Sequence, residues 1–275
     1  MYKSDDIESK DLLKHAQESR KSILITGATG GLGRFLAKEF ASGPEAIILH
    51  GRNQAALEQL QAELEAEFPE QFFSTIAVDL LAADAVDELI QALDSKSGLE
   101  LSSLILNAGY STAAAFSELS PEEQQNLLRV NLEAQVLLAG RLWPRLERLI
   151  VISSSGAYQA GPYTALYYAS KAFLNSWTMA LEAEAPEKDI LLVCPGAMSS
   201  DFALKAGKKK APLAKDPAVI ARQIKKSADQ KKAYLAPGGF NKFAICLSKL
   251  LPNRLNARLV RRIQLDQTTR PDIRR

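Results

Sequence analysis

The sequence predicts a doubly wound α/β fold, with a mostly parallel seven-stranded sheet and helices on both faces. Short apolar segments alternate with longer stretches of helical periodicity, which is typical of successive βαβ units. The chain of 275 residues, 47% hydrophobic and 24% charged, is long enough for one large domain with a full core. The expected strands are residues 22–25, 46–50, 72–78, 101–106, 149–153, 190–194 and 233–236.

Helices are expected between these strands, where apolar residues recur at three- and four-residue steps. The longest covers residues 122–142, and two others cover 54–68 and 82–93. Ser120 and Pro121 precede the longest helix as a cap and a first-turn residue. In such sheets ligands bind at the carboxyl ends of the strands, so the segments that follow the strands carry most of the functional information.

Composition narrows the class of protein and its compartment. Residues 1–21 are charged throughout, so no signal peptide is expected, and no apolar run approaches the roughly 18 residues of a membrane span. Cys194 and Cys246 lack metal-ligand spacing and are expected to be reduced thiols in the cytoplasm. His15 and His50 are the only histidines, so no metal site is expected. No nucleic-acid partner is expected either.

A glycine-rich segment follows the first strand and leads into a helix: ILITGATGGLGRFLAKEF. Glycines let the backbone approach a pyrophosphate, and the helix N-terminus offers free N–H groups. Thr29 stands where G-x-G-x-x-G would have its second glycine, so the spacing is T-G-x-x-x-G-x-G or T-G-x-x-G-x-x-G. The segment predicts a dinucleotide site; a purely structural turn is the alternative.

The end of the second strand, AIILHGRN, indicates which dinucleotide binds. NAD sites place an acidic residue here, whereas an arginine accommodates the 2′-phosphate of NADP. Gly51 occupies the acid position, Arg52 follows it, and no acidic residue lies between Glu45 and Glu58. We therefore expect NADP, or NADPH in its reduced form, with contacts from Arg52 and Asn53. A solvated loop arginine is the alternative.

The segment YYASK, residues 167–171, places a tyrosine and a lysine on one helix face. Tyr167 has Lys171 at i+4, whereas Tyr168 has Ala172 there. A nearby ammonium favours the phenolate and lowers a phenol pKa from ~10 by roughly one to three units. Tyr167 is therefore the predicted acid or base. The alternative is a core tyrosine beside a solvated lysine.

Together these motifs resemble the short-chain dehydrogenase/reductase family over about residues 21 to 200. The landmarks follow the family order: TGATGGLG at 26–33, Asp79-Leu80, LNAG at 106–109, Asn131, Ser154, YYASK and PGAMSS at 195–200. Ser154 lies thirteen residues before Tyr167, the family spacing, which selects it from Ser153, Ser154 and Ser155. Ser200 replaces the usual threonine of the last motif. The T-G-x-x-G-x-x-G spacing also occurs in the family's extended branch, but the short C-terminal part fits the compact branch.

The resemblance implies a Rossmann fold and hydride transfer between NADP(H) and a secondary alcohol/ketone or an aldehyde. Tyr167 would be the general acid or base, Lys171 would tune it and hold the nicotinamide ribose, Ser154 would bind the substrate oxygen, and Asn131 would support the lysine through a water. The implied cofactor contacts are Gly27, Thr29, Gly30, Gly31, Leu32, Gly33, Arg52, Asn53, Asp79, Leu80, Asn107, Ala108, Gly109, Tyr167, Lys171, Pro195, Gly196 and Ser200. A homo-oligomer, dimer or tetramer, is also implied.

The substrate is expected to lie among loops 110–116, 156–163 and 197–215, whose mostly small or aromatic side chains favour an apolar carbonyl or alcohol. The lysine-rich stretch 205–215 is expected to form a mobile lid edge. Two alternatives remain: an extended-type member acting on a nucleotide sugar, and a non-catalytic NADP-sensing protein.

The C-terminal region is strongly basic. Residues 205–275 hold 19 Lys and Arg against 4 Asp and Glu, whereas the other 204 residues hold 15 against 28. Residues 240–263 contain two amphipathic stripes, which we expect to pack on the protein's own core, the substrate pocket or another subunit. The alternative is peripheral membrane contact through these residues. We divide the chain into an extension, 1–20, a Rossmann domain with the catalytic site, 21–239, and a basic amphipathic extension, 240–275.

Overall fold

The computed structural model describes residues 19–209 and 214–269, so most of the expected N-terminal extension and part of the expected lid edge lie outside the described residues. Its seven-stranded sheet is parallel throughout and has the order β3-β2-β1-β4-β5-β6-β7, which confirms the predicted fold class. The strands are β1 (Arg20–Ile25), β2 (Ala46–Gly51), β3 (Phe73–Ala77), β4 (Leu99–Leu106), β5 (Arg148–Ile152), β6 (Asp189–Val193) and β7 (Tyr234–Leu235).

Helices connect the strands and continue beyond the last one. They are α1 (Gly33–Phe40), α2 (Gln54–Glu67), α3 (Ala85–Asp94), α4 (Pro121–Leu128), α5 (Ala134–Leu142), α6 (Ala165–Glu184), α7 (Asp201–Lys205), α8 (Pro217–Asp229), α9 (Gly239–Leu250) and α10 (Asn253–Gln267). The long helix predicted over 122–142 is interrupted, because a π-helical turn at Arg129–Glu133 separates α4 from α5. Such turns are frequent at functional sites.

Two hydrophobic layers cover the sheet, because successive side chains of a strand point to opposite faces. In β1, Ile23 and Ile25 face the layer formed with α1, α2 and α8, whereas Leu24 faces the layer formed with α3, α5 and α6. All three side chains are completely buried. This two-sided burial is the reason that the strands read as continuous apolar segments.

The strand order reverses beside β1, whose neighbours are β2 on one side and β4 on the other. Where the connections that follow two neighbouring strands run in opposite directions, a crevice opens at the carboxyl ends of those strands. The glycine segment follows β1, LNAG follows β4 and Ser154 follows β5. The predicted motifs therefore meet at this crevice.

The last two helices bury mainly polar residues and expose most of their large apolar ones. Helix α9 buries Asn241 and Ser248 beside Ile245, and α10 buries Asn256 and Gln264 beside Val260. Both apolar stripes were expected to pack on the protein's own core, the substrate pocket or another subunit. Packing on the core is wrong for most of their members, because hydrogen bonds hold the polar sides inward, whereas packing on another subunit stays a prediction. Within the described ranges, no helix is long and apolar enough to span a membrane.

Candidate active site

The glycine segment forms a tight turn between β1 and α1. Gly27 has φ +64°, a conformation that side chains other than glycine rarely adopt. A Cβ added at Gly33 would lie 2.2 Å from the Gly27 carbonyl oxygen, and one at Gly31 would lie 2.5 Å from the Ser200 Cβ. Thr29, Gly30 and Gly31 are exposed. The turn therefore presents bare backbone to the crevice, which suits a pyrophosphate.

The turn is held by the motif that follows β4. The Asn107 Nδ2 donates hydrogen bonds to the carbonyl oxygens of Thr26 and Gly27, at 3.0 and 3.1 Å. The backbone N–H groups of Asn107 and Ala108 donate to the Thr26 hydroxyl at 2.9 and 3.0 Å. The Asn107 side chain is thus used to brace the glycine turn, and sequence reasoning had not assigned it this role.

Helix α1 begins at the turn without a side-chain cap, since Leu32 is its N-cap residue. The Arg34 N–H donates to the Gly30 carbonyl at 3.2 Å, and the lack of a side-chain cap leaves the very start of the helix open to a ligand. Leu32 and Leu80 are each only 5% exposed and their side chains belong to the two core layers. These two leucines can contribute only backbone groups to a cofactor site.

The groups expected at the adenosine end lie at the ends of β2 and β3. Arg52 is exposed and forms no ion pair with any residue of 19–209 or 214–269. Asn53 instead caps α2, because its Oδ1 accepts from the Ala56 N–H at 3.0 Å. Asp79 is exposed, with one carboxylate oxygen accepting from the Leu81 N–H at 3.1 Å. Among the residues that the structure describes, Arg52 is thus an unpaired cation at this end.

Tyr167 and Lys171 lie on α6, and Ser154 follows β5. The Lys171 Nζ is 5.8 Å from the centre of the Tyr167 ring and donates to the Ile152 carbonyl oxygen at 2.8 Å. A hydrogen bond from Ser154 reaches Tyr167, and the Ser154 Oγ accepts from the Gly156 N–H at 3.0 Å. Three of the four predicted catalytic side chains, Ser154, Tyr167 and Lys171, therefore converge at the carboxyl end of β5.

Burial dominates the acid–base properties of this group. It raises the pKa of Tyr167 to about 12, and the hydrogen bond from Ser154 offsets part of that rise. Burial also lowers the pKa of Lys171 to about 8. The expected lowering of the Tyr167 pKa by Lys171 is therefore wrong for this arrangement: burial of the phenol raises the pKa, and the Lys171 ammonium donates to the Ile152 carbonyl oxygen instead.

Asn131 lies in the π-helical turn and is 1% exposed. Its Oδ1 accepts from the Tyr110 N–H at 3.0 Å, and its Nδ2 donates to the Tyr110 carbonyl at 2.8 Å. A Cβ placed on Gly109 would lie 3.2 Å from this Oδ1 and 3.7 Å from the Lys171 Nζ. Asn131 thus anchors the backbone after LNAG beside the lysine.

The motif after β6 meets α9. Pro195 is buried and its carbonyl accepts from the Ser155 N–H at 2.8 Å. A Cβ on Gly196 would lie 3.0 Å from the Asn241 Oδ1, and the Asn241 Nδ2 donates to the Cys194 carbonyl at 2.8 Å. Ser200 faces Gly31 across the crevice.

Sequence reasoning missed two residues around this site, Asn241 and Gln264, whose Nε2 donates to the Tyr168 hydroxyl at 2.8 Å. Phe202, which was expected in the substrate loop 197–215, has its ring centre 5.7 Å from that of Tyr167. The polar side chains recur at 241 and 248 and again at 256 and 264. This helical spacing was a signal that the polar side of each helix could be the packed one.

The fold and the crevice define an α/β protein of the dinucleotide-binding class. A sequence profile of the short chain dehydrogenase family matches residues 21–211. The chain belongs to this family of oxidoreductases, as its motifs led us to expect.

Relatives and solved structures agree with this assignment. The chain is 28% identical over 198 residues to the very-long-chain 3-oxoacyl-CoA reductase of Scheffersomyces stipitis, covering 67% of this chain and 57% of the relative. It is 33% identical over 199 residues to sepiapterin reductase of Bos taurus, covering 66% of this chain and 74% of the relative. The chain therefore spans little more than half of the fungal reductase. A short-chain dehydrogenase from Sphingobium yanoikuyae in complex with NADPH shares the fold, with a TM-score of 0.71 and 22% identity, over 79% of this chain and 87% of that one.

Proposed function

We propose that the protein transfers a hydride between NADP(H) and a secondary alcohol/ketone or an aldehyde, with Tyr167 as proton donor or acceptor. The observation that carries this proposal is the meeting of Ser154, Tyr167 and Lys171 at the crevice that also holds the glycine turn. A structural turn or a core tyrosine would not require this convergence.

The residues at the crevice fit a dinucleotide. Bare backbone at Gly31 and the uncapped start of α1 suit the pyrophosphate. Arg52, exposed and without an ion pair in the described part of the chain, suits a 2′-phosphate through charge-assisted hydrogen bonds. When bound, NADPH would supply the hydride. The NADPH complex of the similar Sphingobium structure supports the same choice.

The phenol of Tyr167 holds its proton at neutral pH, because its pKa is about 12. It can therefore donate that proton to a carbonyl oxygen on which charge develops during reduction. The Ser154 hydroxyl would donate a second hydrogen bond to the same oxygen and stabilise the developing charge. For alcohol oxidation the phenol must first lose its proton, so the oxidative rate should rise with pH.

Lys171 would restore the proton that Tyr167 gives up, and Asn131 would support the lysine. The pKa of Lys171 is about 8, so the lysine can exchange protons near neutral pH. Asn131 holds the backbone beside the lysine through its two hydrogen bonds to Tyr110. We assign Asn131 as a positioning residue, since it contacts neither the phenol nor a substrate site directly.

The surroundings of Tyr167 favour an apolar substrate. Phe202 packs 5.7 Å from the Tyr167 ring, and Tyr110, Tyr158 and Tyr163 line the loops at the strand ends. The two named relatives are reductases, of a very-long-chain 3-oxoacyl thioester and of sepiapterin.

We also propose a homo-oligomer, because Leu137, Phe173 and Met179 on α5 and α6 remain exposed.

The test is turnover of the purified full chain with a panel of ketones and aldehydes, read as loss of NADPH absorbance. We expect turnover with apolar carbonyls and faster turnover with NADPH than with NADH. Nucleotide binding without turnover of any carbonyl would contradict the proposal and favour an NADP-sensing protein. Activity confined to nucleotide sugars would favour the extended branch.

A further inference from the structure

The C-terminal helix pair, α9 and α10, presents an apolar row to solvent. Phe240, Phe243 and Leu250 are 65%, 64% and 77% exposed. The row is completed by Leu247, Leu255, Leu259 and Ile263, all at least 40% exposed. Within residues 19–209 and 214–269, no neighbouring residue buries these side chains. Exposed apolar side chains in this number mark an interaction site.

The outward orientation of the row is held by polar contacts on the other side of both helices. The Asn241 Nδ2 donates to the Cys194 carbonyl at 2.8 Å, the Gln159 Nε2 donates to the Ser248 Oγ at 2.6 Å, and Gln264 donates to Tyr168. Turning either helix to bury its apolar row would break these hydrogen bonds, of which the first is buried and the other two are partly buried. The fold itself therefore holds the apolar row at the surface of the protein.

Basic side chains accompany the row. In α10, Arg254, Arg258 and Arg262 each precede an apolar member by one residue, so a basic row runs beside the apolar one. Together with Lys242, Lys249 and Arg261 they make six exposed cations, against the single acid Asp266 in residues 239–267. None of the six forms an ion pair in the described part of the chain. Two of them lie over aromatic rings of the same chain: the Lys249 Nζ is 4.7 Å from the centre of the Tyr158 ring, and the Arg261 guanidinium is 5.9 Å from that of Tyr163.

We propose that the helix pair docks the protein on the surface of an anionic lipid bilayer. The apolar row would enter the boundary between headgroups and acyl chains, and the cations that do not lie over a ring of the protein would lie at the anionic headgroups. These are Lys242, Arg254, Arg258 and Arg262. The acidic balance of residues 1–204, 28 Asp and Glu against 15 Lys and Arg, would turn the rest of the protein away from that surface.

A second copy of the chain fits this surface less well. A symmetric dimer places the same patch on both partners. Six cations would then face six cations, and like charges across an interface disfavour association. An anionic bilayer complements both features of the patch, its apolar centre and its charge, so we commit to the bilayer.

The experiment is co-sedimentation of the full chain with vesicles of phosphatidylcholine, with or without about one third phosphatidylserine. It is run at ~0.01 M and at ~1 M ionic strength, where the Debye length is about 30 Å and about 3 Å. We expect binding to the anionic vesicles at low ionic strength and at least about tenfold weaker binding at high ionic strength or without phosphatidylserine.

Two double variants separate the apolar and the charged contributions. Phe240→Glu with Phe243→Glu should lower partitioning more than about tenfold, because two acyl-boundary contacts become anions. Arg258→Gln with Arg262→Gln should lower it about fivefold for each charge removed. The matched controls are Phe72→Glu, an exposed phenylalanine beside the opposite edge strand β3, and Lys226→Gln with Lys232→Gln, which removes the same charge elsewhere. Both controls should change partitioning less than about twofold.

The results for vesicle binding can be told apart from those that test the catalytic proposal. Tyr167→Phe should bind vesicles like the unchanged protein, so a failure of catalysis leaves the docking proposal standing. Absence of binding to anionic vesicles at low ionic strength would overturn it, as would equal losses in the controls and the helix-pair variants. A dimer that dissociates on Phe240→Glu with Phe243→Glu, without vesicle binding, would assign the surface to a second copy.

Discussion

Helices α5 and α10 are both amphipathic, yet they bury opposite sides. In α5, Leu138 and Leu142 are completely buried against apolar side chains of the sheet. In α10, Gln264 is buried and Leu259 is 46% exposed. The difference lies in what faces each helix: α5 faces a hydrophobic layer, whereas α10 faces hydroxyl groups such as that of Tyr168. Periodicity therefore identifies two sides of a helix, and the neighbouring surface decides which one packs.

The largest expected effect on the rate comes from Tyr167, whose hydroxyl is proposed to act on the substrate. The hydroxyl of the adjacent Tyr168 contacts α10 instead. Tyr167→Phe should lower kcat/KM roughly 10²- to 10⁴-fold, because it removes the proton donor. NADPH affinity and the melting temperature should stay nearly unchanged. The measurement is steady-state kinetics on the best carbonyl of the panel, with nucleotide titration by fluorescence.

Tyr168→Phe is the matched control, since it removes the same hydroxyl from the adjacent residue. Its ring fills the space between Gly156 and Gly161, and its hydroxyl contacts Gln264. We expect a rate within about twofold of the unchanged protein. A larger loss for Tyr168→Phe than for Tyr167→Phe would show that the register assigned to the YYASK motif is wrong.

The next prediction compares the contributions of Leu138 on α5 and Leu259 on α10 to stability. Leu138→Ala should lower the free energy of unfolding by about 2–5 kcal/mol, since it leaves a cavity in a fully packed layer. Leu259→Ala on α10 should change it by less than about 0.5 kcal/mol, because the side chain is half exposed. Urea denaturation followed by circular dichroism gives both values. Equal losses would mean that Leu259 is buried in solution by some partner.

Exposed arginines can be compared in the same manner. Arg52→Ala should weaken NADPH binding by about 1.5–3 kcal/mol, the usual contribution of hydrogen bonds to a charged group, and leave NADH binding nearly unchanged. Arg258→Ala, an equally exposed arginine of α10, should alter neither affinity. Both are measured by fluorescence titration. Equal affinity of the unchanged protein for NADPH and NADH would rule out the assignment of Arg52.

The smallest effect concerns the contact that ties α10 to α6. The hydrogen bond from Gln264 to Tyr168 should contribute about 1 kcal/mol to stability. A double-mutant cycle of Gln264→Leu and Tyr168→Phe measures this coupling in unfolding experiments. A coupling energy near zero would indicate that α10 is held by other contacts, and the explanation of its inverted burial would then need revision.

Much of the site was predictable because short motifs carry local physical requirements. Gly27 needs a positive φ, and Gly31 and Gly33 have no room for a Cβ, so the residues themselves report the turn. The i+4 spacing of Tyr167 and Lys171 likewise follows from helix geometry alone. The pKa of Tyr167 did not follow, because burial and the direction of Lys171 depend on the surroundings.

The sequence alone determined the α/β class, the seven strands and the residues that meet at the crevice, since these depend on periodicity and on backbone constraints within a few residues. Only the tertiary structure decided the π-helical turn at Asn131, the bracing of the glycine turn by Asn107, and the outward face of α9 and α10. Each of these depends on partners far apart in the chain, such as Gln264 and Tyr168. The spacing of the polar residues in α9 and α10 is visible in the sequence, but their distant hydrogen-bond partners are not, so only the tertiary structure decided that the polar side of each helix packs.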